Sequence, residues 1–279
     1  MRILLVGLLL CVTSAAFAAP TEDQVRKVMN EQSIPNWKKL TEQVIDFRKS
    51  PPVLTWVDFW KNLDEKSKVG FGTNALTIAS SPQSTDELFA DATWLRWKIL
   101  ADSADGRYSY VYAYLLGLMQ AKDGNYLKEA AVFLYDARLA MAIDGAYCAD
   151  SSSPETISMG YETQKPFGML LEKLAVLTPK EIAIAQLEAV GIEELRGERA
   201  PFENLCTHGT QTQIKAMRDG RQFQKVPPSE VNSGNINATD HTYTIDATGI
   251  KPDLIPENEW KIKRRKILDK VISNATRLL

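Results

Sequence analysis

Residues 107–146 hold two helix-length apolar patterns separated by a tight turn. In "RYSYVYAYLLGLMQAK", 107–122, Tyr108, Val111, Leu115 and Leu118 share one face, and Tyr112 and Leu116 share another. "DGN" at 123–125 then signals a turn. In the stretch from 126 to 146, Leu127, Ala130, Leu134, Ala137 and Met141 step at helical spacing and form one stripe. Ala131, Ala140 and Ala142 leave room for close neighbours, and Gly145 is placed to terminate the helix. Two such helices joined by a short turn lie antiparallel, and each must bury its stripe against another helix. The pattern therefore constrains the chain to helix-on-helix packing.

The rest of the sequence follows the same rule. Helical periods are expected over 21–32, over 36–48 with Trp37, Leu40, Val44 and Phe47, and over 53–66 with Leu54, Val57, Trp60 and Leu63. After a loop at 69–84, Ser84 or Thr85 caps a helix that runs to about Ala101. Residues 149–168 are polar and turn-rich and are expected as a loop, followed by a short helix at 169–176. "TPKE" at 178–181 supplies a Thr cap, a Pro at the first helical position and a Glu at the third, a strong helix start, with Gly191 a candidate kink. A helix resumes through "QTQIKAMRDG". Residues 222–259 have no helical period, although "HTYTID" at 241–246 alternates like a short strand. The last stretch, 257–279, is an amphipathic helix with Trp260, Ile267, Leu268, Val271, Ile272, Ala275 and Leu278 on its apolar face. The expected fold is mostly α: one packed domain over 19–279, of about eight to ten helices.

The first twenty residues set the address. Arg2 precedes an apolar run from Ile3 to Val12, and small residues lead to Ala16-Phe17-Ala18. This is the layout of a signal peptide, 1–18, cleaved between Ala18 and Ala19. The run is about half the ~20 residues that span a bilayer, so no stable membrane anchor is expected. Cys11 fails as a lipoprotein site because Leu10 stands where a small residue is needed. The 33 Lys and Arg nearly balance the 35 Asp and Glu, so no global field attracts nucleic acid or anionic lipid. The mature chain is expected to be soluble, in the periplasm or outside the cell.

Two cysteines survive cleavage, Cys148 and Cys206. In an oxidising compartment an even count most simply pairs, which here closes a loop worth about 4 kcal/mol by chain entropy. A thiol nucleophile or a metal site is the rival, but the chain has only two histidines, His208 and His241, and Cys206-Thr207-His208 supplies at most two ligands. No metal or cofactor site is expected. There is no H-E-x-x-H, G-x-S-x-G, Walker loop or dinucleotide glycine fingerprint. His208 beside Asn204 and Thr207 reads as a surface histidine rather than a base. A carboxylate pair such as Glu162 with Glu172 does not rise above chance without geometry. Asp144 and Asp150 around Cys148 read as turn formers at a frayed helix end. The basic run "KIKRRK", 261–266, can contact phosphate or anionic lipid, but a solvated helix face is the plainer reading. It lacks the interleaved aromatics of nucleic-acid recognition.

The helix pair at 107–146 resembles one tetratricopeptide or Sel1-type repeat. Leu116-Gly117 and Gly124 match the first half, and Ala130, Leu134 and Ala137 match the second. One inserted residue and Gln120, where an aromatic is usual, depart from that pattern, and no second copy is found. The resemblance implies partner binding and brings no catalytic residue. The expected function is an exported protein-binding or scaffold module, of which an inhibitor or immunity-type protein is one form. The alternative is a hydrolase using carboxylates from scattered loops.

Overall fold

The computed structural model describes residues 85–101, 104–123, 126–162, 165–197, 199, 205–207, 209–225, 243–245 and 250–279. The leader with Ala18 and Ala19, the helices expected over 21–66, His208 and His241 lie outside them. The described part is mostly α. Its helices are α1 (Thr85–Ala101), α2 (Gly106–Asp123), α3 (Leu127–Gly145), α4 (Ser152–Glu162), α5 (Lys165–Leu174), α6 (Pro179–Arg196), α7 (Thr210–Arg218) and α8 (Glu257–Thr276).

α2 and α3 form the predicted pair and are the centre of the molecule. The expected single stripes understate them. Tyr110, Val111, Tyr112, Ala113, Tyr114, Leu115 and Leu116 are all buried in α2, and Ala130 to Leu134 are all buried in α3. A helix covered on nearly every side is a core helix, not a surface one. α1 packs on α2, and α6 packs on α3 and also touches α1. Trp94, Leu95 and Ile99 of α1 join the α2–α3 core. α8 closes the α3–α6 side: Trp260, Leu268, Ile272 and Ala275 pack with Leu139, Ile143, Leu187 and Val190. The Trp260 indole N–H also donates to the Ile143 carbonyl at 2.9 Å. Leu278, expected on this apolar face, is half exposed and lies beyond the end of the helix at Thr276.

The local signals explain most boundaries. Thr178 and Glu181 form a reciprocal capping box at the start of α6, with Pro179 at the first helical position, and α6 stays helical through Gly191 to Arg196. Asp105 accepts the Arg107 backbone N–H at 2.9 Å and caps α2. α3 ends at Gly145 as expected, for a different reason. The described glycines with left-handed backbone are Gly197 and Gly220; Gly145 instead admits Pro154, whose Cβ would stand 2.6 Å from a side chain there.

Pro154 also explains the chief correction. The stretch 149–168, expected as a loop, contains α4 and the start of α5. Pro154 lies in the first turn of α4, where its missing N–H breaks no helical bond. Asp150 begins the turn into α4, its Oδ1 accepting from the Ser152 backbone and hydroxyl at 3.0 and 2.6 Å. The 222–259 segment is also less irregular than expected. β1 (Phe223–Lys225) pairs antiparallel with β2 (Tyr243–Ile245), the strand that "HTYTID" signalled.

Candidate functional site

α3 and α6 run side by side in the same direction. Lys128 meets Glu181 near their starts, Arg196 meets Asp136 further along, and Arg199 meets Asp144 at the end. The middle and last of these contacts belong to one buried network. Asp136, on α3, accepts from Arg196 Nη2 and from the Ser109 hydroxyl, each at 2.5 Å. Arg196 also reaches Glu193 at 2.8 Å, one turn back on α6. Glu193 in turn accepts from Arg199 at 2.8 and 3.0 Å, and its backbone carbonyl receives Arg264 of α8 at 3.3 Å. The side chains of Asp136, Glu193 and Arg196 are wholly buried.

Burial dominates the electrostatics here. It raises the Asp136 carboxyl, although Arg196 and Ser109 oppose it. It also raises Asp144, to about 7. Arg199 Nη2 lies 2.9 Å from Asp144 Oδ1, but neither carboxylate oxygen of Asp144 has a well-aligned hydrogen bond among the described residues. The guanidinium therefore only partly offsets desolvation, and nearby Glu193 and Asp105 add repulsion. Asp105 shows the opposite balance. Its burial is outweighed by charge and hydrogen bonds from Arg107, which hold it below the usual carboxylate range. Asp144 is thus no turn former at a frayed end. It sits in the last turn of α3 and is 1% exposed.

A second constellation joins α1, α2, α3 and α6. Glu129 of α3 accepts from Arg96 of α1 and from the Tyr112 hydroxyl of α2, the latter at 2.9 Å. Its side chain is 29% exposed. Glu188 of α6 is buried nearby, and burial together with the Glu129 charge raises it to about 7. One carboxylate here is held by a cation and the other is pushed toward the neutral acid. That division is what general acid–base chemistry uses.

The third constellation contains a residue named from sequence. Glu162, at the end of α4, accepts two bonds from Arg138 of α3, at 2.8 and 3.0 Å, and one from the Tyr110 hydroxyl at 2.8 Å. These bonds outweigh burial and lower its pKa. Glu172 is exposed on α5. Glu162 is committed to Arg138 and Tyr110, so the pair Glu162–Glu172 does not form a shared site. Tyr110 itself is fixed by stacking on Tyr161 at 5.0 Å and by an edge contact with Phe167 at 5.1 Å.

Cys148 and Cys206 are joined. Their sulfurs are 2.02 Å apart and their α-carbons 5.3 Å apart. The loop carrying Cys148 is also hydrogen-bonded to the segment that leads into α8, through Ala149 N–H to the Asp253 carbonyl at 2.9 Å and Ile255 N–H to the Tyr147 carbonyl at 3.0 Å. Asp150 is a turn former as expected, and its second oxygen accepts from Gln211 N–H in the first turn of α7 at 2.6 Å. One short loop therefore links the ends of α3, α7 and α8.

Among the described residues, no group of three or more His, Cys, Asp and Glu is arranged to hold a metal ion. Among them too, no helix is long and apolar enough to cross a membrane. Sequence reasoning missed Arg196, Arg199 and Glu193. The available signal was the arginine and glutamate density of "EELRGER", which reads as surface until its partners on α3 are known.

The outer surface has its own feature. Phe167, Leu170 and Leu174 seat α5 in the core, and Lys173 donates to the Gly117 carbonyl at 2.8 Å. A side chain at Gly117 would stand 2.9 Å from Leu170, so this glycine admits the close approach of α5. Met169 and Leu171, on the two flanks of that buried stripe, and Val176, in the turn after α5, are exposed, Val176 by 72%. Comparison with known protein families, with curated proteins and with solved structures finds no match to this chain.

Proposed function

We propose that the chain is an exported, helical protein-binding module whose partner contacts the apolar side chains exposed around α5 and the turn after it. The observation that carries this reading is the exposure of Met169 and Leu171 on either flank of the stripe by which Phe167, Leu170 and Leu174 anchor α5, and of Val176 in the turn that follows. Large apolar side chains left in water around an anchored element are a feature of interaction surfaces. The wholly buried carboxylates at Asp136 and Glu193 support the same reading, because both are taken up by arginines rather than presented to a substrate. An inhibitor or immunity-type role is one form such a module takes.

A photo-crosslinking amino acid at Leu171, introduced in the chain's own envelope, tests the proposal. A discrete adduct is expected from Leu171 and not from Thr93, an exposed position on α1. Equal adducts from both positions, or none from Leu171, would contradict it.

The second reading, a hydrolase, is favoured by one observation, the differently held carboxylates of Glu129 and Glu188. It requires that Glu188→Gln abolish a hydrolytic activity without lowering the melting temperature.

A further inference from the structure

We infer that the outer face of α8 is a peripheral docking surface for a bilayer rich in anionic phospholipid. The basic run at its start does not act as one block. Arg264 turns inward to Glu193, and Arg265 is taken up by Asp269 at 2.8 Å on its own helix and approaches Glu194. Lys261 pairs with Glu257 at 2.9 Å. That leaves Lys263, Lys266, Lys270 and Arg277, which are exposed and make no ion pair among the described residues.

These four are not scattered. At about 100° per residue, they fall within a sector of about 60°, on the side opposite the buried Leu268, Ile272 and Ala275. From Lys263 to Arg277 the stripe is roughly 20 Å long at ~1.5 Å per residue. Glu259 is the exposed acid in the same sector, at its N-terminal end. The near-neutral net charge of the whole chain conceals this local excess of cations.

The partner is narrowed by what flanks the stripe. Ile262 is 57% exposed beside its start, and Leu278 and Leu279 are exposed beyond its end. A straight line of lysines with apolar side chains at both ends suits a flat charged surface with an apolar interior close beneath. Lysine stems lie along the interface with their ammonium groups at the phosphates, and the apolar ends enter the boundary. An acidic protein would call for the cations but gives no account of the apolar ends. This surface is separate from the α5 face and does not rest on the protein-binding proposal.

The test is sedimentation of the chain from Ala19 onward, without the apolar leader, with vesicles of phosphatidylcholine alone or mixed with phosphatidylglycerol. Binding to the mixed vesicles only is expected, and it should be lost at ~0.5 M salt, where screening shortens to a few ångströms. Lys263→Gln, Lys266→Gln and Lys270→Gln together should weaken binding on the order of a hundredfold, from the usual contribution of each cation near an anionic surface. Ile262→Ser alone should weaken it less, with the melting temperature unchanged. Three results would each overturn the proposal: no binding to the mixed vesicles, equal binding by the triple variant, or binding to soluble polyglutamate at the same salt without binding to vesicles.

Discussion

Arg196 and Asp136 meet at 2.5 Å between α6 and α3 with both side chains wholly buried. Each is costly to place there alone. With Glu193, Ser109 and Arg199 they form one hydrogen-bonded set, so the seam between the two helices depends on the set rather than on any one bond, although Asp136 Oδ1 has no hydrogen-bond partner among the described residues. Arg196→Met should therefore cost about 3–5 kcal/mol, because it strands Asp136 and Glu193 in a dry site. Chemical denaturation of the variant against the parent measures this. A loss below about 1 kcal/mol would mean that water reaches the network.

The same seam carries a pH dependence. Asp144 titrates at about 7 in the fold, against an ordinary value of 3.8, so between these limits the folded chain holds a proton that the unfolded chain has lost. Stability from this group is full below about pH 4 and falls as pH rises through about 7, by roughly 1.4 kcal/mol for each unit separating the two values. Glu188 acts in the same direction. Glu162 and Asp105, both lowered, act in the opposite sense and lose their contribution as pH falls below the ordinary carboxylate range. Urea titrations at pH ~5 and ~7.5 should show a smaller loss on going up in pH for Asp144→Asn than for the parent. An identical pH slope would contradict the assignment.

These charged sites show where sequence reasoning stops. Helices α1, α2, α3, α6, α7 and α8 were legible because apolar spacing and caps are local, as in Thr178-Pro179-Lys180-Glu181. α4 was not, because Pro154 and the serines before it are also the vocabulary of loops. Only contact with Gly145 shows that the proline sits in a helical first turn. The ionic network was invisible for a different reason. Arg196 and Asp136 are sixty positions apart, and nothing in either neighbourhood names the other. α5 was expected only as a short helix over 169–176, with no face assigned, and it runs Lys165–Leu174 with Phe167, Leu170 and Leu174 buried.

The disulfide is a prediction of coupled loss. Cys148→Ser and Cys206→Ser should each cost about 2–4 kcal/mol, and the double variant should lose hardly more than either single. Denatured, unreduced protein should titrate no thiol at either position. Additive losses would show that each cysteine contributes by packing alone, and a free thiol would show the bond absent.

Trp260 tests the closing helix. It is 2% exposed, packs against Tyr147 at 5.0 Å and donates to the Ile143 carbonyl. Trp260→Ala should cost about 3–5 kcal/mol, since it leaves a cavity and an unsatisfied carbonyl. A variant that unfolds at the parent's denaturant midpoint would show that α8 is not part of the cooperative core.

The central claim is that the apolar side chains exposed around α5 and its following turn, and not the buried charges, meet the proposed partner. The most direct measurement compares the parent with Met169→Ser, Leu171→Ser and Val176→Ser combined, by capture from an extract of the source cells in parallel with thermal melting. The account predicts that a protein captured by the parent is lost by the variant, while the melting temperature holds within a few degrees, because exposed positions contribute little to stability. Retention of the same protein at full yield by the variant would contradict it.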